Sequence, residues 1–345
     1  MSSDGANVNQ HKSADGGVRP TKPLTRILAV RLGAMGDMIH ALPAVASLKT
    51  SFPGARLTWV VEPRWAALLE GNPFVDRVVL LCRKTAGGLL ESWRELRSEE
   101  YDFAVDFQGL LKSALTAACA RPQRIFGFDA SQVRERAAAL FYSVKMMAAS
   151  AHVVDRNLEL AAAAGATRIS HAFPLPAGAP EGELPPGDFV LASPLAGWRS
   201  KQWPAEHYAS LAARLRRELH VPLVMNLPAA ARLQVQGAAP HVSSLPGLIH
   251  ATRRAAAVVG VDSGPMHLAA ALGRPGVAIF GPTDPARNGP YGGSLRVLRS
   301  PTAATSYKRG DAIDESMRRV TPDEVFEALR FALAEPRLSA EERGV

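Results

Sequence analysis

Five short segments of this chain hold the residue types that group transfer needs. Asp37 follows an apolar run and a glycine-bearing turn, Gly33-Ala34-Met35-Gly36, in ILAVRLGAMGDMIHALP. A carboxylate in the first turn of a helix repels the phosphate such a turn otherwise attracts, and suits a base facing an incoming hydroxyl. Capping of its own helix is the other role open to Asp37, and the segment alone leaves both standing. VVGVDSGPMHLAAALGRP has the same build with different chemistry: Asp262-Ser263-Gly264 form a small polar turn, a helix opens near Pro265, and His267 lies one turn in. Free amides and the positive end of the helix dipole suit a diphosphate there; an N-cap and a packed histidine are the alternatives. Lys201, between Trp198 and Trp203 in SPLAGWRSKQWP, can stand over a leaving phosphate as a point charge, or snorkel across packed indoles. Thr283 and Asp284 in FGPTDPARNGPYG can approach the same phosphate or a sugar, although turn chemistry accounts for them equally well. VDFQGLLKSAL aims Gln108 and Lys112 from a further strand-to-helix junction into the same cleft, and Arg134, Arg136 and Arg156 can bind an anionic second substrate.

Such segments need strands that end at a common edge. Apolar runs alternate with helix-like stretches throughout, which predicts parallel sheets covered by helices. Strands are expected near 26–31, 57–61, 77–81, 103–107 and 124–128, then 189–193, 222–226, 257–261 and 276–280. Among the expected helices are Asp37–Thr50, Leu111–Ala120, Arg134–Met147, His152–Gly165, Ala205–Leu219, Ala230–Ala238 and Pro265–Leu272. FPLPAGAPEGELPPGD packs five prolines into one short span and divides the chain. The expected organisation is a disordered tail over 1–25, an α/β domain over 26–172, a Pro-rich linker over 173–187, a second α/β domain over 188–320, and a C-terminal helix and tail over 321–345. Ligands of open parallel sheets bind beyond the carboxyl ends of the strands, so both halves offer loops to a cleft between them.

At 345 residues, with 47% apolar and 21% charged residues, the composition is that of a soluble globular protein. No apolar run reaches the ~20 residues of a membrane span, and the polar N-terminus resembles neither signal peptide nor anchor. Cys82 and Cys119 lack metal-ligand spacing, so neither a disulfide framework nor a zinc site is expected, and a reducing cytoplasm fits. The net charge of +8 lies in the body, as in the basic span from Arg121 to Arg156. With no nucleic-acid-binding motif, phosphorylated small molecules or anionic head groups are its expected partners. An oxidoreductase is disfavoured, since no strict GxGxxG occurs.

VRLGAMGDMIHALPA, VVEPRW, DFQGLLKSA, HVVDRNLELA, SKQWP, VDSGPMHLAAALGRP and FGPTDP, in this order, resemble the bacterial lipopolysaccharide heptosyltransferases of glycosyltransferase family 9. The resemblance runs over about residues 26–329, and the DFQGLLKSA and FGPTDP forms are most similar to heptosyltransferase I. It implies a GT-B fold: two Rossmann-like domains, parallel sheets facing across a cleft, acceptor on the first half and nucleotide sugar on the second. It implies inverting transfer of heptose from ADP-heptose to the Kdo/inner-core region of lipopolysaccharide, with no metal or other cofactor. It makes Asp37 the general base and Lys201 the cation that neutralises the leaving diphosphate. Asp262, Ser263, Gly264, His267 and Thr283, with Ala196 and Gly197, become the donor site; Glu62, Arg64, Gln108, Lys112, Arg134 and Arg156 become the acceptor site. Transient contact of a cytoplasmic protein with the inner membrane follows from a lipid-linked acceptor. Two positions depart from the pattern. Ala196-Gly197 replace a pair of threonines, leaving contacts to backbone amides, and LPAAARLQVQGAAP lacks the acid expected for the ribose. A related transferase with another nucleotide sugar or anionic glycan acceptor, and a non-catalytic nucleotide-binding protein, remain alternatives.

Overall fold

The structure, a computed structural model, describes residues 24–334. The expected N-terminal tail before residue 24 and the chain beyond 334 lie outside the described residues. The first half is one sheet of β1 (Arg26–Val30), β2 (Arg56–Val61), β3 (Arg77–Leu80), β4 (Phe103–Asp106), β5 (Arg124–Phe128) and β6 (Val144–Met146), ordered β3-β2-β1-β4-β5-β6. The second holds β7 (Val190–Ser193), β8 (Leu223–Leu227), β9 (Ala239–Val242), β10 (Ala257–Val261), β11 (Gly276–Phe280) and β12 (Leu295–Arg299), ordered β12-β11-β10-β7-β8-β9. Every pairing is parallel. Counted within each half, both sheets have the doubly wound order of a dinucleotide-binding domain, so each has a crevice where the winding reverses, at β1/β4 and at β7/β10. The central strands are buried on both faces, as Ile27 to Val30 show at 0% exposure, which is why they read as unbroken apolar runs.

The helices are α1 (Met35–Ser51), α2 (Ala86–Leu96), α3 (Leu111–Cys119), α4 (Val153–Ala163), α5 (Ala205–Leu219), α6 (Leu245–Arg254), α7 (Gly264–Ala271), α8 (Pro285–Asn288), α9 (Glu315–Arg319) and α10 (Pro322–Ala334). Helix α1 is buried along most of its length because it packs against α4 on one side and α7 of the other half on another. The largest apolar cluster runs through this seam, joining Met35, Met38 and Leu42 to Leu248, Met266 and Leu268.

Several elements differ from the sequence expectation. The helix expected over Arg134–Met147 is a 3-10 segment, Arg136–Phe141, followed by β6. Tyr142 donates its hydroxyl to the buried Asp106 at 2.7 Å, and Ser143 Oγ accepts the Ile125 amide at 2.8 Å. These bonds hold the chain extended along β5, with Val144 aligned on Phe126. The helix expected over Ala230–Ala238 is irregular and turns at Gly237 with φ +79°; alanines without an apolar stripe supply little packing to hold a helix. Strands β9 and β12 and helices α6, α8 and α9 were not expected. In α6, Pro246-Gly247 reads as a loop, but the first turn has no N–H bond for proline to remove.

Candidate active site between the two halves

Both winding reversals carry the residues singled out by the sequence. At β1/β4, Asp37 is the third residue of α1. Its Oδ2 accepts the Ala34 amide at 3.2 Å, which is the helix-capping contact. Its Oδ1 pairs with Arg31 Nη2 at 2.8 Å, while the side chain stays 48% exposed. Each oxygen thus has one partner, and the exposed side chain keeps acceptor capacity for another. Arg31, buried at the end of β1, also donates Nη1 to the Phe107 carbonyl at the end of β4. It clamps the two strand ends and orients Asp37. Sequence reasoning missed it; the one signal was a cation closing an apolar strand.

Glu62, just after β2, gathers cations. Arg64 Nη2 lies 3.1 Å from Oε2, Lys112 Nζ lies 3.4 Å from Oε1, and Arg83 Nη2 also bonds Oε1. Burial works to raise the Glu62 pKa; the Arg83 hydrogen bond and the charges of Lys112, Arg83 and Arg64 outweigh it and bring it below the usual range. Three cations on one carboxylate leave a surplus of positive charge on a half-exposed surface, which suits an anionic ligand. Arg83 was not anticipated, because its loop lies beyond β3, far from Glu62 in sequence. Gln108, expected to point into the cleft, uses its Oε1 to accept the Leu32 amide at 2.8 Å and ties the two crevice loops together. Arg134 is exposed. Arg156 lies apart from the Glu62 group, on α4 with its guanidinium 5.3 Å from the Phe128 ring. Burial, then the like charge of Arg287 from the second half, lowers its pKa.

At β7/β10 the residues expected on the donor side converge. Lys201 closes a 3-10 turn after β7, its Nζ 2.9 Å from Asp262 Oδ2 and 4.9 Å from the Trp198 ring centroid. Thr283 Oγ donates to the same carboxylate oxygen at 2.8 Å, so its hydroxyl is engaged with Asp262. His267 Nε2 stands 3.7 Å from Oδ1. Burial pushes the Asp262 pKa up, but His267 and Lys201 outweigh burial and hold it far below the usual carboxylate range. Ser263 is the N-cap of α7, and its Oγ is buried with no hydrogen-bond partner. In the loop after β7, a Cβ on Gly197 would meet open space, and Ala196 is half-buried. Among the described residues no group of three or more His, Cys, Asp or Glu is placed to hold a metal ion.

The glycines of the two turns have a purpose the sequence did not reveal. A Cβ on Gly36 would collide with the His267 ring, and one on Gly264 would lie 2.8 Å from the Met35 Cβ. The N-termini of α1 and α7 therefore abut, each glycine making room for a side chain of the opposite half. This places Asp37 and the Lys201–Asp262 pair on the two faces of one seam.

Residues 89–315 match the family described as glycosyltransferase family 9 (heptosyltransferase). Lipopolysaccharide heptosyltransferase 1 of Escherichia coli K12 is 32% identical over 306 residues, spanning 80% of this chain and 94% of the relative. Lipopolysaccharide heptosyltransferase 2 of Salmonella typhimurium LT2 is 28% identical over 351 residues, spanning 90% and 99%. Among solved structures, the E. coli heptosyltransferase WaaC with ADP-2-deoxy-2-fluoro heptose aligns with a TM-score of 0.70 at 26% identity, over 89% of this chain and 99% of that one. The two doubly wound sheets form the GT-B architecture of these transferases, and the chain belongs to glycosyltransferase family 9, the heptosyltransferases.

Proposed function

We propose that this enzyme moves heptose from ADP-heptose to the Kdo/inner-core region of a lipid A-linked acceptor in one inverting displacement. The observation that carries the reading is the division of charge across the seam. A half-exposed carboxylate and a cation-rich surface lie on one side; a lysine and a helix N-terminus lie on the other. Asp37 takes the proton of the acceptor hydroxyl as that oxygen bonds to the anomeric carbon. The bond from that carbon to the diphosphate breaks, and ADP leaves with its new charge met by Lys201 and the positive end of α7, where Gly264 carries the amide that no helix bond uses. The ammonium has three donors, so Lys201 can keep Asp262 while turning another N–H to a phosphate oxygen. Arg64, Arg83 and Lys112 hold the acidic sugar, Glu62 fixing their spacing. The WaaC structure bound to a fluorinated ADP-heptose supports the donor assignment.

A family 9 transferase with another nucleotide sugar is the second reading, favoured by one observation: the segment after β8, residues 228–238, contains no acid that could meet a ribose. A thermal-shift panel of ADP-, UDP- and GDP-sugars, followed by transfer to a Kdo-bearing lipid A, separates the two. The proposal expects stabilisation by the ADP sugar and transfer to that acceptor; a preference for UDP or GDP overturns the donor.

The same reading places the enzyme in the cytoplasm, in peripheral contact with the inner membrane. No helix among the described residues is long and apolar enough to cross a membrane. Leu111 and Leu115 are exposed on one face of α3, which packs beside the segment carrying Leu140, 81% exposed, and Arg136. Lys112 on the same helix belongs to the cation-rich surface. Flotation with anionic vesicles is expected at low salt and reduced at high salt; absence of binding at both rejects the contact.

A further inference from the structure

One side chain of the first half reaches a side chain of the second at hydrogen-bond distance with both buried. His40 Nε2 lies 3.1 Å from His267 Nδ1, the rings edge to face with centroids 4.3 Å apart. His40 follows Asp37 by one turn on α1. His267 sits one turn into α7 with its Nε2 toward Asp262, the carboxylate that holds Lys201. The charge of Asp262 favours the His267 proton on Nε2; Nδ1 then accepts, and His40 Nε2 donates. Three charged or titratable groups face His40: Arg31 from the end of β1, His152 from the start of α4, and His267 from α7. Burial first, then these neighbours, keep its imidazole neutral, with the pKa well below the ordinary value. Asn157 Nδ2 pins the His40 carbonyl at 3.0 Å, so the backbone beneath the ring is fixed independently of the ring's own bond. A line of contacts therefore runs from Lys201 through Asp262, His267 and His40 to the first turn of α1.

We propose that His40 is a positioning residue whose bond to His267 couples the state of the diphosphate-side loop to the placement of Asp37. The inference rests on the reading of Asp37 and Lys201 as opposite halves of one site, and it adds a residue that acts only through His267 and α1. Contact across the seam is already enforced by Met35 against Gly264 and by His267 against Gly36, so His40 is not needed merely to hold the halves together. What it adds is direction. A donor fixed in one tautomer transmits a shift of His267 to α1, which apolar packing does much less.

The test is hydrogen exchange of the full chain with and without ADP, in the wild type, His40→Leu and His40→Gln. In the wild type, ADP is expected to slow exchange at the amides of residues 38–41 by at least about threefold. His40→Leu loses that protection while its ADP affinity stays within about twofold, and its kcat falls about tenfold at unchanged donor KM. His40→Gln, with an amide N–H near the position of Nε2, regains both. Equal protection in the wild type and His40→Leu overturns the proposal, as does unchanged turnover in His40→Leu. A variant that only melts earlier while keeping the ADP-dependent protection assigns His40 to packing and also overturns it. A wild type that binds no ADP removes the functional reading itself, and this inference with it.

Discussion

Replacing Lys201 by alanine tests the proposed donor side at the level of stability, before any turnover is measured. The change removes Nζ from an ion pair of 2.9 Å whose side chains are 14% and 9% exposed. Asp262 keeps the Thr283 hydroxyl at 2.8 Å and His267 at 3.7 Å, too few partners for a buried charge. Removing one partner of a fully buried pair costs about 3–5 kcal/mol; slight exposure and the remaining hydroxyl reduce this to about 2–3 kcal/mol. At about 2 °C per kcal/mol for a chain this long, Tm falls by about 5 °C. The folded pKa of Asp262 is depressed, so its contribution is present above the unfolded value of about 4 and is lost as pH falls below it. Melting is therefore compared at pH 7. The decisive variant is Lys201→Ala with Asp262→Asn, because a neutral amide needs no cation. It should recover most of the lost Tm while transfer stays low, separating the lysine's structural role from its proposed part in the reaction. A single variant as stable as the wild type at pH 7, or a double variant no more stable than the single, refutes the reasoning.

Gly36→Ala sets two forces against each other. Helix propensity favours alanine by about 1 kcal/mol, whereas the seam has no room for the methyl against His267; a lower Tm and slower transfer are expected, and a higher Tm would show that α1 and α7 do not abut. Burial lowers the pKa of His40, His152, His207 and His241. Their neutral forms stabilise the fold above pH ~6.5, and that contribution is lost as pH falls toward the folded values, so chemical denaturation should show stability declining from pH 7 to 5, less steeply in His40→Leu. Arg83→Ala should raise the acceptor KM about tenfold and leave ADP affinity unchanged by calorimetry; an unchanged KM removes Arg83 from the proposed acceptor surface.

The two-sheet architecture was legible because each half alternates apolar strands with loops and helices and holds one strand, glycine turn and helix unit, at β1–α1 and at β10–α7, and that local pattern depends on nothing distant. For the same reason Asp37, Lys201 and the 262–267 loop could be picked out: they sit where strands of a parallel sheet must end. Arg31, Arg83 and His40 could not, since each makes a contact, to Phe107, Glu62 and His267, that forms only when distant segments meet. Gly36 shows the limit most clearly. Its turn reads as a place for a ligand to approach, and the structure fills that place with the His267 ring. The 134–147 stretch reads as a helix, and one hydroxyl, Tyr142 on Asp106, helps decide against it. Gln108 was rightly placed at a crevice loop, yet its Oε1 is committed to the Leu32 amide.

The central claim is that Asp37 serves as the base on the acceptor side of the seam. Asp37→Asn tests it most directly, because an asparagine oxygen can still accept the Ala34 amide that caps α1. Single-turnover transfer from ADP-heptose to a Kdo-bearing lipid A should fall by about 10²–10⁴-fold, with ADP affinity by calorimetry close to wild type and a Tm lowered only modestly, because Arg31 loses its carboxylate but keeps the Phe107 carbonyl. Near-normal turnover in Asp37→Asn would contradict the account and leave Asp37 as a helix cap.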